Sequence, residues 1–368
     1  MNAKLMTLVG IIVLVTLAAG CTGAPTPTQA PTVAPAATEA APKATEAAPK
    51  ATEAAPKATV APKATEAAKA TEAAQPGKKV LLGFANMVEG YEFATQTRKG
   101  IEDEAAKRGW DILNLNNNFD ANTALANADA MVLKKIDIAV EFQLYEDVFP
   151  AIMDKFKAAN IPVITIDIPA PGATFVGVDN HAAGMLGGKW LGQYALDKWG
   201  GQVDLVVLLD DPTVGELPKK RVDGIYDGIV QTLPKLDKAL ILRQPGGGMR
   251  EKGMDITRAV LTSHPDARHI LLSGIDDISL LGGYAAAQEL GREKDCVFFG
   301  QGGELEAIAE IRKPGSNYLG SVGYFFENYG KTVVATAEKI LKGEKVPEFV
   351  YVPIAMITKD NVNQFYPQ

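Results

Sequence analysis

The sequence predicts an α/β protein of two lobes, each a parallel sheet flanked by helices. Three observations carry this expectation. From residue 78 onward, short apolar β-branched runs alternate with amphipathic stretches, as in parallel strands joined through helices. The alternation occurs twice, in two series of similar length. Between the series, two apolar runs at 162–167 and 174–178 follow one another across a turn that holds Pro169, Pro171 and Gly172. Two strands with no helix between them break the alternation, and we place the change of lobe at that break.

At 368 residues, two folded units with extra segments are expected. Residues 1–20 carry Lys4, an apolar run at 5–15, and small residues before Cys21. This reads as a secretory signal, short for a spanning helix. Leu17, Ala18, Ala19, Gly20 and Cys21 look like a bacterial lipoprotein signal, which implies that Cys21 carries lipid. Residues 21–77 hold that cysteine and an Ala/Pro/Thr-rich segment with five Lys and five Glu and nothing large enough for a core. It reads as a disordered tether reaching roughly 170 Å if polyproline-like and about 40 Å as a flexible coil. The formal charge is −7, and −8 without Lys4. The tether's charges cancel, so the folded part is acidic, which argues against nucleic acid and against anionic lipid surfaces. Cys296 alone cannot form an internal disulfide, and its apolar run suggests a buried thiol.

In the first series, strands are expected at 80–84, 111–115, 138–142 and 162–167. Val148, Ile152 and Phe156, widened by Phe149 and Met153, form a helical stripe between them. Asp179 and Asn180 are good caps for the helix that opens the second series. Its strands are expected at 203–209, 239–242, 269–272 and 297–299. A late strand at 318–322 precedes a helix with Tyr329, Val333, Ala337 and Leu341 on one face.

Strand ends in open α/β sheets present polar groups at the carboxyl edge. Asp167, Asp276 and Gln301 follow expected strands there, and Glu141 and Gln143 flank Phe142 at another. Asp276 reads equally as a helix cap. Glu89, Glu92 and Glu216 are loop acids that either touch ligand or face solvent. Several carboxylates in one cleft need a cation or many donors. Lys219 and Arg221 supply positive charge, or the ligand is an amine. The glycines at 300, 302 and 303 lack the dinucleotide spacing, and the three histidines have no metal spacing. We expect no metal, no cofactor and no catalytic constellation.

The sequence resembles the type I periplasmic binding proteins of the ribose and galactose-binding, sugar ABC-transporter class. The resemblance rests on Asn160-Ile161-Pro162-Val163-Ile164-Thr165-Ile166-Asp167, on Val178-Asp179-Asn180 with Gly187-Gly188, on Leu261-Thr262-Ser263-His264-Pro265-Asp266 and on Leu341-Lys342-Gly343-Glu344. It implies a hinge of three crossings that returns the late strand and helix toward the first lobe. The implied boundaries are 78–178 plus about 325–350 for the first lobe, and 179–324 plus about 351–368 for the second. It also implies a monomer that closes on a small solute and delivers it to an ABC permease, from a lipid-anchored position on the extracytoplasmic face.

The resemblance carries ligand roles onto Phe93 with Tyr91 beside it, Asp167, Lys219, Asp276, Gln301 and Tyr324; with Gln143, read from its strand end, these are the candidate site. The pattern departs at Ala94, where a second aromatic is missing, and at Ile168, where ribose binders carry Arg. Gln301 replaces an Asp, Tyr324 replaces a Gln, and no aromatic stands within residues 246–248. The implied ligand is hydroxyl-rich, a sugar or polyol, and not ribose. The alternatives are an amine or nucleoside, or a sensory lipoprotein that presents its closed form to a receptor.

Overall fold

The computed structural model describes residues 79–143 and 145–367. The signal at 1–20, the lipidation at Cys21 and the tether to residue 77 lie outside the described residues.

The chain begins with β1 (Leu81–Asn86), α1 (Glu92–Lys107), β2 (Asp111–Asn116), α2 (Ala121–Leu133), β3 (Ile138–Phe142), α3 (Phe149–Ala158), β4 (Val163–Ile166) and β5 (Thr174–Gly177). It continues through α4 (Asn180–Trp199), β6 (Leu205–Leu209), α5 (Glu216–Thr232), β7 (Ile241–Gln244), α6 (Arg250–Ser263), β8 (Ile270–Gly274), α7 (Asp277–Glu289), β9 (Cys296–Gly302), α8 (Leu305–Arg312) and β10 (Tyr318–Gly323). The last elements are α9 (Tyr329–Leu341), β11 (Phe349–Tyr351), β12 (Ala355–Thr358) and α10 (Val362–Phe365).

Two six-stranded sheets result, in the orders β11-β5-β4-β3-β1-β2 and β12-β10-β9-β8-β6-β7. All neighbours run parallel except β10 and β12. Helices cover both faces of such sheets, so their central strands are largely apolar. β3, β6, β8 and β9 are accordingly buried at every residue, while the edge strands β2 and β7 are not. The chain leaves the first sheet after β5, returns with β11 and leaves again for β12. The late strand does not go back with its helix: β10 pairs with β9 and β12 in the second sheet, and only α9 crosses, to pack on α1.

The helical stripes are core. Val148, Phe149, Ile152 and Phe156 are buried on one side of the first sheet, and Tyr329, Val333 and Ala337 on the other. Asp179 caps α4 by accepting the Ala182 N–H at 3.0 Å. The strand expected at 239–242 starts two residues later, because Asp237 accepts the Ala239 N–H at 3.0 Å and folds 238–240 into a short 3₁₀ turn. α4 and α5 pack backbone to backbone: a Cβ on Gly184 would lie 1.9 Å from the Arg221 carbonyl oxygen. That close crossing places Arg221 beside the first crossover. Cys296 is buried, and its thiol is pushed up to about 12 by burial.

Candidate functional site

The carboxyl edges of the two sheets face one another. Glu92, the first residue of α1, accepts the Leu305 N–H that follows β9, at 3.1 and 3.3 Å. Glu146, after β3, lies against Gly215, after β6, where an added Cβ would meet its Oε1 at 2.4 Å. The residues between these two contacts are the strand ends from which the candidate site is built.

On the first lobe, Asp167 ends β4 in the left-handed region at φ 59°, a conformation more accessible to Asp than to most residues. Its Oδ1 accepts the Tyr329 hydroxyl at 3.1 Å and the Val178 N–H at 3.3 Å. Burial pushes its carboxyl up to about 6, against the opposing pull of Arg221, Tyr329 and Val178. Ile168 is 1% exposed and packs with Phe149 and Ala170, so its side chain points into the lobe. Glu141 stands beside Thr165 in register on neighbouring strands, and Gln143 lies two residues on. All three are buried, and neither Glu141 oxygen, neither Gln143 amide atom nor the Thr165 hydroxyl has a hydrogen-bond partner. Burial pushes the Glu141 carboxyl up to about 8, and the nearby Asn117 amide is engaged by the Phe142 carbonyl instead. Phe93 is wedged between Phe142 and Phe326, with centroids 6.1 and 5.9 Å away, and Tyr91 stands edge-on to Phe119 at 5.5 Å, its own ring partly exposed. Glu89 pairs with Arg98 at 3.2 Å and accepts the Asn86 amide at 3.1 Å.

On the second lobe, polar groups are tied to the protein. The Arg221 guanidinium lies 4.8 Å from the Tyr324 ring centroid, donates to Asn180 Oδ1 at 3.0 Å and also donates to the Ile275 carbonyl. The Tyr324 hydroxyl donates to Gln301 Oε1 at 2.8 Å, and the Gln301 amide reaches the Ala183 carbonyl at 3.4 Å. Asp276 caps α7, accepting the Ser279 N–H and hydroxyl at 2.7 and 2.8 Å, and its other oxygen takes the Gly248 N–H at 2.9 Å. Asp277 is fully buried and accepts four donors: the Tyr318 hydroxyl at 2.7 Å, Ser321 at 2.9 Å, and the Gly303 and Glu304 N–H groups at 2.7 and 3.0 Å. Lys219 is half exposed and pairs with Glu216 at 3.6 Å. A Cβ at Gly247 would come within 2.6 Å of Ile275 Cγ2, so that position has no room for a side chain.

Asp167, Tyr324 and Gln301 are thus gathered around Arg221. Lys219, two residues earlier on α5, is not part of that group. Tyr329 and Asn180, which hold Asp167 and Arg221, read from the sequence only as an apolar-stripe residue and a helix cap.

Residues 82–345 match the periplasmic binding protein domain. The chain belongs to this family. Among curated members, it is 26% identical over 269 residues to the ribose import binding protein of Escherichia coli, covering 73% of this chain and 86% of that one. It is 24% identical over 285 residues to the ribose import binding protein of Bacillus subtilis, covering 77% and 88%. A solute-binding protein from Mycobacterium smegmatis, solved with bound glycerol, superposes with a TM-score of 0.70 at 25% identity, covering 79% of this chain and 98% of that one. A periplasmic solute-binding protein from Actinobacillus succinogenes, with bound D-allose, gives 0.66 at 18% identity, covering 78% and 100%, a likeness of fold. The family's two-sheet frame explains why Asp167, Arg221 and Tyr324, far apart in sequence, lie near one another.

Proposed function

We propose that this chain is the extracytoplasmic solute-binding protein of an ABC importer and that it takes a small hydroxyl-rich ligand, a sugar or polyol, between its lobes. The match over residues 82–345, in relatives named for ribose import, carries this reading. The bound glycerol and D-allose of the structural neighbours support the ligand class. A ligand other than ribose is supported by the buried Ile168 and by Gly247, which leaves no space for an aromatic ring.

In this reading, ligand touches both lobes only when they are closed, so binding draws the population toward the closed form, whose surface the permease recognises. The three crossovers at 178–179, 324–328 and 352–354 form the hinge. Asp167 is the charge-assisted acceptor for ligand hydroxyls, and Gln143 and Gln301 are further polar groups; Tyr91 and Phe93 offer ring surface, and Lys219, Asp276 and Tyr324 complete the set. No covalent step or cofactor is needed. The chain acts as a monomer, held outside the membrane through lipid on Cys21 and the tether to residue 77.

A thermal-shift panel of pentoses, hexoses, polyols, nucleosides and amines on the full chain tests the ligand class. A true ligand at about 100 times its Kd adds about 2.7 kcal/mol to stability. The sugar or polyol that responds should bind Asp167→Asn roughly tenfold or more weakly. A response confined to amines or nucleosides would overturn the ligand class, and unchanged affinity in the variant would remove Asp167 from the site.

A further inference from the structure

Glu92 opens α1 on the first lobe, yet its carboxylate accepts the N–H of Leu305, the first residue of α8 on the second. A helix start offers unpaired N–H groups and the positive end of the helix dipole, so it favours a carboxylate there. Gln96, one turn along α1, donates to Glu92 Oε1 at 2.8 Å and fixes its direction. The residue before Leu305 is Glu304. It is 8% exposed, and its side chain makes no capping bond to α8.

The charged groups that face Glu304 are acidic: Glu92 from α1, and Asp276 and Asp277 from the start of α7. Tyr366, after α10, donates its hydroxyl to the Gly303 carbonyl at 3.3 Å and brings no charge at neutral pH. Arg250 of α6 is engaged by Glu306 on α8. Asp277 is committed to the Gly303 and Glu304 N–H groups. Burial first, and then Asp277 and Glu92, push the Glu304 carboxyl up to about 9. Two acids brought together from different lobes cannot both ionise without strong repulsion.

We propose that Glu92 and Glu304 form a proton-linked latch: closure brings Glu304 up to Glu92, takes up one proton from solvent on Glu304, and returns it when the lobes part. The latch rests on the two-lobe closing motion proposed above. With the lobes apart, Glu304 loses Glu92 and part of its cover, so it titrates at a lower pH than in the closed form. The closed form is therefore favoured at acidic pH, and this advantage is lost as pH rises toward about 9.

The test needs no ligand. Spin labels are placed through Lys99→Cys on α1 and Lys252→Cys on α6, in the full chain with Cys21→Ser; Cys296 is buried and stays unlabelled. Pulsed paramagnetic resonance then reads the interlobe distance. From about pH 9.5 to about pH 6 the closed-to-open ratio should rise, by up to about tenfold per pH unit where linkage is complete. Glu304→Gln should hold the closed distance at both ends of the range. Glu92→Ala should favour the longer distance and weaken its pH dependence, and Glu92→Gln, which keeps the acceptor for Leu305, should close further at the alkaline end than the parent chain. A distance that ignores pH in the parent chain, or pH dependence undiminished in Glu304→Gln, would overturn the latch. A pH-dependent distance in a chain that binds no sugar or polyol would sustain the latch and refute the ligand class instead.

Discussion

The carboxyl edges of the two lobes use buried polar groups in opposite ways. On the second lobe, Asp276, Asp277 and Gln301 are satisfied by named donors within the protein. On the first lobe, Glu141, Gln143 and Thr165 are buried side by side with polar atoms that have no protein partner. Buried polar groups are almost always paired, because leaving one unpaired costs a substantial part of its hydration. The second lobe is therefore organised by its carboxylates, whereas the first bears an unmet polar demand. In the proposed reading, a ligand's hydroxyl groups meet that demand.

The sharpest way to break this contrast is to remove the organising carboxylate. Asp277→Ala strands the Tyr318 and Ser321 hydroxyls and the N–H groups of Gly303 and Glu304. We expect a loss of roughly 3–5 kcal/mol, read as a lower urea midpoint at neutral pH. Asp277→Asn, which keeps one acceptor, should lose less. A change under about 1 kcal/mol in Asp277→Ala would mean that the second lobe does not depend on this hub.

Glu141→Leu should act in the other direction and with a smaller effect. The folded carboxyl is pushed from its ordinary 4.5 up to about 8 by burial. Its protonated form is kept in the folded state while the unfolded chain ionises, so stability is full below the ordinary value and is lost as pH rises through about 8. Glu141→Leu should flatten that fall and gain about 1–3 kcal/mol near its alkaline end, as when an unpartnered buried charge gives way to an apolar group. Denaturation midpoints across the range measure both. If the variant is also weaker for the ligand found in the panel, Glu141 lies in the site; with affinity unchanged, the unpaired cluster is a structural cost only.

The contrast also marks what a linear sequence can reveal. Alternating apolar runs expose the two sheets because strands covered on both faces are buried along their whole length and so largely apolar, as β3, β6, β8 and β9 are. The lobe change near Asp167 is legible for the same reason: two buried strands meet there without a helix. The roles of neighbouring acids are not legible. Asp276 caps α7 while Asp277, one residue on, turns into the core, and the packing phase of the helix decides which does which. Lys219 and Arg221 differ in the same way. Both lie on α5, but α5 crosses α4 so closely that Arg221 is fixed at the crossover while Lys219 faces Glu216. Partners distant in sequence, such as Tyr329 for Asp167, leave no local mark.

The smallest expected effect concerns the place where the two edges touch away from Glu92. Gly215 has φ 84° and sits against Glu146 of the other lobe. An alanine there carries two penalties: strain of about 1–3 kcal/mol from a positive-φ, extended backbone that is essentially reserved for glycine, present whether the lobes are apart or together, and a clash with Glu146 that exists only when they meet. Glu146→Ala removes the clash and leaves the strain. In a double-mutant cycle read by the interlobe distance, Gly215→Ala should shift the population toward the open form, and adding Glu146→Ala should restore closure, with a coupling of about 0.5–1 kcal/mol. Strain alone would give no coupling, because it weighs equally on both forms. A coupling near zero would mean that the Glu146 side chain yields to the added methyl group, and would leave Glu92 as the contact on which closure depends.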